Sequence, residues 1–139
     1  MRRTVLGLLS GTLIACSAGP PTPIAIDTSA DVCAHCRMTI VSTSTAAQIV
    51  APGTEPVLFD DLGCLVDYLS RAALGPDATV FVADHRTGDW ATAATAVFTR
   101  TTLATPMASG LIAHASGASR DLDAAAKGGT PVPAGSLLP

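Results

Sequence analysis

Positive charge is scarce in this 139-residue chain: eight lysines and arginines stand against eleven acidic residues, for a net charge of −3. With no basic patch to meet phosphate, nucleic acid is excluded as a partner. Long hydrophobic runs are missing too, and the apolar stretch from Val5 to Ala15 is too short to cross a bilayer as a helix. Sulfur is sparse, with four cysteines and three methionines, one of them the initiator. What sulfur there is, however, is concentrated. Cys33-Ala34-His35-Cys36-Arg37-Met38 packs two thiols and a thioether into six residues, and the remaining methionine, Met107, sits in Thr105-Pro106-Met107-Ala108-Ser109-Gly110. Sulfur donors at that density suggest a soft metal.

The N-terminus reads as an export signal over residues 1–15, with Arg2 and Arg3 ahead of the apolar run. Leu13-Ile14-Ala15-Cys16 resembles a lipobox, which would make Cys16 a lipidation point and the new N-terminus. Two or three acyl chains hold a protein at a membrane where one does so only marginally. Exported and lipid-anchored, the mature chain would carry six basic and eleven acidic residues, net −5. Residues 16–30, rich in Pro, Ser, Ala and Thr, suit a flexible tether. Residues 128–139 read as a disordered tail, leaving 31–127 as one small domain.

Within that domain, Thr39-Ile40-Val41, Ala47 to Ala51 and Pro56 to Phe59 read as short strands. Asp60-Asp61 offers an N-cap, and Leu62, Leu65, Val66, Leu69 and Ala73 recur at helical spacing until Gly75-Pro76. Then Thr79 to Val82, Ala96 to Thr99 and Leu111 to His114 read as strands and Ser119 to Lys127 as a short helix. The order predicts an α+β domain of two similar strand-strand-helix halves, with Trp90 and Phe98 in the core.

Outside the cytoplasm a CxxC is bridged, metal-bound or kept reduced by a partner. If the segment is extended, Cys36 and Met38 share a face, and Cys33 can swing to the same point. Thiolate plus thioether is a donor set for Cu(I). Three alternatives stand beside it. Zinc could recruit Cys33, His35, Cys36 and Cys64. A thiol-disulfide role for Cys33 and Cys36 would need a helix N-terminus, whereas strand-like residues follow. A Cys33–Cys36 or Cys33–Cys64 disulfide would leave the methionines as core. On a helical wheel Cys64 falls about 200° from Leu62, off the apolar face, in a reachable first-turn position suited to a ligand. His35 would point away from Cys36, and solvent or core placement is expected for His85 and His114.

With these residues in view, the chain resembles the NosL family of copper-binding lipoproteins, accessory to nitrous oxide reductase. The resemblance rests on the lipobox cysteine, the CxxCxM motif, Phe59-Asp60-Asp61-Leu62-Gly63-Cys64, Thr87-Gly88-Asp89-Trp90 and Thr105 to Ala113, in the family's order. It implies two strand-strand-helix halves and a Cu(I) site drawn from Cys36, Met38 and Met107, with Cys33 matching the first motif cysteine. It also implies a non-enzymatic carrier that hands copper to a copper enzyme or its transporter. Arg37 and Ala108 stand where the family usually has glycine beside each methionine. If the turn needs positive φ, Arg37 lacks glycine's freedom to supply it.

Overall fold

The computed structural model describes residues 19–138; the signal segment and Cys16 lie outside the described residues. Two antiparallel sheets and a few short helices make an α+β fold. The first sheet begins with β1 (Ala47–Val50) and β2 (Val57–Phe59), joined across a turn at Gly53 and registered by Ala47 opposite Phe59. Helix α1 (Leu62–Leu69) follows, then β3 (Thr79–Ala83) and β4 (Trp90–Thr92), giving the order β2-β1-β3-β4. The second sheet holds β5 (Val97–Arg100), β6 (Leu111–His114) and β7 (Thr130–Val132) in the order β6-β5-β7. Helix α2 (Gly117–Leu122) lies between β6 and β7, with a 3-10 turn at Ala124–Ala126.

The expected strand-strand-helix order is present twice, as β1-β2-α1 and β5-β6-α2. The β3-β4 hairpin extends the first sheet and β7 the second. Asp84 joins the two sheets. It pairs with Ala113 of β6 in a parallel bridge, and its buried carboxylate accepts the Ala115 N–H at 2.8 Å and those of Arg86 and Thr87 at 3.0 and 3.1 Å. One core serves both sheets: Phe59, Leu62, Leu65, Val82, Phe98 and Leu111 are packed in it, and each such side chain contributes about 1.5–3 kcal/mol by leaving water.

Four expectations are corrected. Residues 16–30 are not all tether, because Ile24 exchanges two hydrogen bonds with the fully buried Gln48 side chain, at 2.9 and 3.1 Å, and Ile26 packs on the core. Residues 128–138 are not a disordered tail, since β7 pairs with β5 and Leu137 and Leu138 pack on the core. The strand at Thr39–Val41 shrinks to a bridge between Val32 and Thr39, with Ile40 fully buried and Val41 exposed. Helix α1 stops at Leu69, because Ser70 caps it and its hydroxyl bonds the Asp67 carbonyl; Ala73 falls beyond it.

Candidate metal centre

The sulfur motif folds as a tight reversal. The Cys33 N–H donates to the Met38 carbonyl at 2.8 Å and the Arg37 N–H to the Cys33 carbonyl at 3.0 Å. The Ala34 N–H fastens the loop to β2 through the Leu58 carbonyl at 2.8 Å. Arg37 closes the turn at φ +68°, in the left-handed region. The alternation expected of an extended segment therefore does not apply, and it is not what assembles the site.

The thiols meet through tertiary contacts instead. Cys33, Cys36, Cys64 and Asp60 offer ligand atoms all within 4.8 Å of one another. None of the three cysteines is disulfide-bonded. Asp60, fully enclosed, lies 3.5 Å from the Cys36 Sγ through both carboxylate oxygens, and its carbonyl accepts the Thr45 hydroxyl at 2.9 Å. From its sequence Asp60 reads as part of a helix cap. One carboxylate suffices for a cap, and the surplus aspartate was the signal that could have found it.

Asp61 does the capping. Its backbone is extended, and its side chain accepts the Gly63 N–H at 2.6 Å, satisfying a donor at the start of α1. Its other oxygen accepts the Met107 N–H at 2.8 Å. Burial opposes its ionisation, yet hydrogen bonds from Ser109, Thr105 and the Met107 and Gly63 N–H groups hold its carboxyl below the usual range. One side chain thus ties the helix start to the methionine loop. Gly63 permits that approach, since a Cβ there would lie 2.8 Å from the Ser109 Cβ.

Cys64 is buried, 2% exposed, against the expectation of a reachable position. The wheel assumed a helix covered on one side only. Here α1 meets the thiols of the motif loop on one flank and the methionine loop at Gly63, so even the off-stripe position is covered. Burial, then the neighbouring Cys33 thiol and Asp60 carboxylate, pushes the Cys64 thiol far above its ordinary range. Burial also raises Cys36, with partial relief from the Met38 N–H. Both groups are protonated at neutral pH, so an entering cation must displace protons.

The two thioethers are more open to solvent than the thiols. Met38 and Met107 are each 45% exposed. Met107 lines a cavity of about 320 Å³ together with Cys64 and His35, so one thioether and one thiol share a wall. His35 is not in the cluster; its Nε2 lies 3.7 Å from Asp67 across the surface. Met38 is not in the wall of that cavity; its backbone reaches the thiol residues through its N–H beside Cys36 and its carbonyl, which accepts the Cys33 N–H.

Three thiols, a carboxylate and a neighbouring thioether in a small α+β fold define a protein equipped to hold a soft or borderline metal ion. The NosL family model matches residues 23–126. The chain belongs to the NosL family, a family of extracytoplasmic copper-binding accessory lipoproteins. Comparison with curated proteins and with solved structures gives no match. Among the described residues no helix is long and apolar enough to cross a membrane.

Proposed function

We propose that this chain is a lipid-anchored, extracytoplasmic carrier of Cu(I), attached through Cys16 and delivering its ion to a copper enzyme such as nitrous oxide reductase or to that enzyme's assembly transporter. It is not an enzyme. The observation that supports this reading is the gathering of Cys33, Cys36 and Cys64, with Met107 lining the cavity that Cys64 shares, in a chain of the NosL family. Thiolates from the motif loop and α1 would hold the ion, and the exposed Met38 and Met107 thioethers would receive it first and release it last. A carrier benefits from that arrangement, because ligand exchange proceeds stepwise when some donors are already at the surface. The raised thiols give it a pH dependence. Displacing two protons makes apparent affinity climb up to about a hundredfold per pH unit between pH 6 and 8.

Anaerobic Cu(I) titration with X-ray absorption on the detergent-purified protein tests this. The expected result is one ion with at least two sulfur neighbours. Met38→Ala and Met107→Ala should each weaken binding by roughly tenfold or more, with the melting temperature nearly unchanged. Unchanged affinity in both variants would remove the thioethers from the site. Zinc is the second reading, favoured by the Asp60 oxygen that completes a four-donor set with the thiols. It requires the chelated protein to unfold, whereas a cargo site leaves the apo fold standing. A redox role is disfavoured, because the CxxC lies in a loop and Cys36 is raised, which suppresses the thiolate that exchange needs.

A further inference from the structure

His85, His114 and Asp123 come from three separate places, the turn after β3, the end of β6 and the end of α2, and converge on one point remote in sequence from every cysteine. His85 Nδ1 lies 2.6 Å and His114 Nε2 2.9 Å from the same oxygen, Oδ2 of Asp123. The three ligand atoms lie within 4.8 Å of one another. His114 is wholly buried, Asp123 nearly so, and His85 retains 16% side-chain exposure. We propose that these residues form a second metal site, independent of the thiol centre, that takes a divalent transition-metal ion through two imidazole nitrogens and one carboxylate oxygen.

The donor set selects the class of ion. Imidazole and carboxylate suit zinc and its divalent neighbours, whereas the thiols suit monovalent copper. The geometry is close to what such an ion needs. Two donors about 2.05 Å from a tetrahedral centre stand about 3.3 Å apart, so the 2.6 and 2.9 Å separations from Asp123 must open by less than an ångström, and the two imidazole nitrogens already lie within 4.8 Å of each other. The carboxylate already faces both imidazole nitrogens through a single oxygen, Oδ2.

Its other oxygen, Oδ1, accepts the Ala125 N–H at 2.8 Å, which fixes the orientation of the carboxylate. Entry is available as well. His85 stands in the wall of an open cleft of about 420 Å³, from which water could complete the coordination.

A second observation concerns the far side of His114. Its Nδ1 is buried and, among the described residues, has no hydrogen-bond partner; the same is true of the Thr99 hydroxyl. The β5–β6 register pairs Val97 with His114 and Thr99 with Ile112, so Thr99 and His114 occupy the same face on diagonal positions. An imidazole that donates Nε2–H to Asp123 leaves Nδ1 as a bare acceptor, an unfavourable state for a buried atom. Metal on Nε2 would move the proton to Nδ1, changing this atom from acceptor to donor.

Zinc added to the full chain in detergent beyond the one equivalent that the thiol centre could take, followed by imidazole nitrogen NMR, tests the site, because the imidazole resonances report on it and not on the thiols. The expected result is movement of the His85 Nδ1 and His114 Nε2 resonances to metal-bound values by two equivalents of zinc, with the His114 proton on Nδ1. His85→Ala should weaken the zinc response of His114 at least tenfold, and Asp123→Asn should abolish it. If Asp123→Asn fails to fold, His85→Ala decides alone, since it leaves the His114–Asp123 hydrogen bond in place. Imidazole resonances that stay put in several-fold excess zinc, or that respond equally in His85→Ala, would overturn the proposal and leave a hydrogen-bonded triad. Either outcome is independent of Cu(I) binding at the cysteines.

Discussion

Each of the two motif methionines has a strained neighbour. Arg37 precedes Met38 and Ala108 follows Met107, and these two hold φ of +68° and +57°, the positive values found for non-glycine residues among the described residues. Left-handed backbone costs an L-residue about 1–2 kcal/mol, and glycine escapes that cost while losing about 0.5–1 kcal/mol to the entropy of its unfolded chain. Arg37→Gly and Ala108→Gly should therefore each stabilise the protein by roughly 0.5–1 kcal/mol. Urea midpoints check this, and a loss of stability in both would show that the turns are not strained. The departure from glycine was plain in the sequence. That the backbone would hold the left-handed turn regardless was not, because the ladder from Cys33 to Met38 and the cap at Asp61 impose it from outside.

Elements were legible where the determinants are local. Asp61 announces the start of α1, and the β-branched runs announce β1, β2, β3, β5 and β6 to within about two residues. Determinants that cross the fold were not legible. Nothing in Thr87-Gly88-Asp89-Trp90 reveals that Asp84, just before it, locks β3 to β6. Burial opposes ionisation of Asp84, but the Ala115 N–H, the Ser119 side chain and the Thr87 and Arg86 N–H groups bring its pKa to about 2, from a usual 3.8. A depressed carboxyl contributes stability that is fully present above pH 4 and lost as pH falls through about 2. Asp84→Asn keeps the shape but turns an amide N–H₂ toward a backbone donor, and should cost about 2–4 kcal/mol at pH 7. Chemical denaturation from pH 7 to pH 2 measures it, and the gap between variant and parent should close toward pH 2. A constant gap would mean that Asp84 acts by shape alone.

At the scale of the whole molecule, the sheet built from β5, β6 and β7 depends on residues that composition alone would dismiss. Gly, Pro and Ala dominate the segment after Lys127, and Pro131 within a strand reads as a breaker. An edge strand tolerates proline because one of its sides has no ladder to complete, and Pro131 sits opposite Thr99 on such an edge. A chain ending at Lys127 should lose about 2–4 kcal/mol, from the lost ladder and the uncovered Val132 and Leu137 contacts. It should also aggregate through the bared edge of β5. A truncated chain as soluble and stable as the parent would show that β7 is an ornament on the fold. The thiol cluster was legible as a set of residue types but not as a place, since Cys64 arrives by packing of α1 and Asp60 by the end of β2.

Leu137 stands in the wall of the cavity that Cys64 and Met107 share. A purification handle fused directly after Leu138 would begin one residue from that wall, and a polyhistidine handle there would place foreign imidazoles near it. Stoichiometries measured with such a fusion would count ions held by the handle, so loading experiments belong on protein from which it has been cleaved.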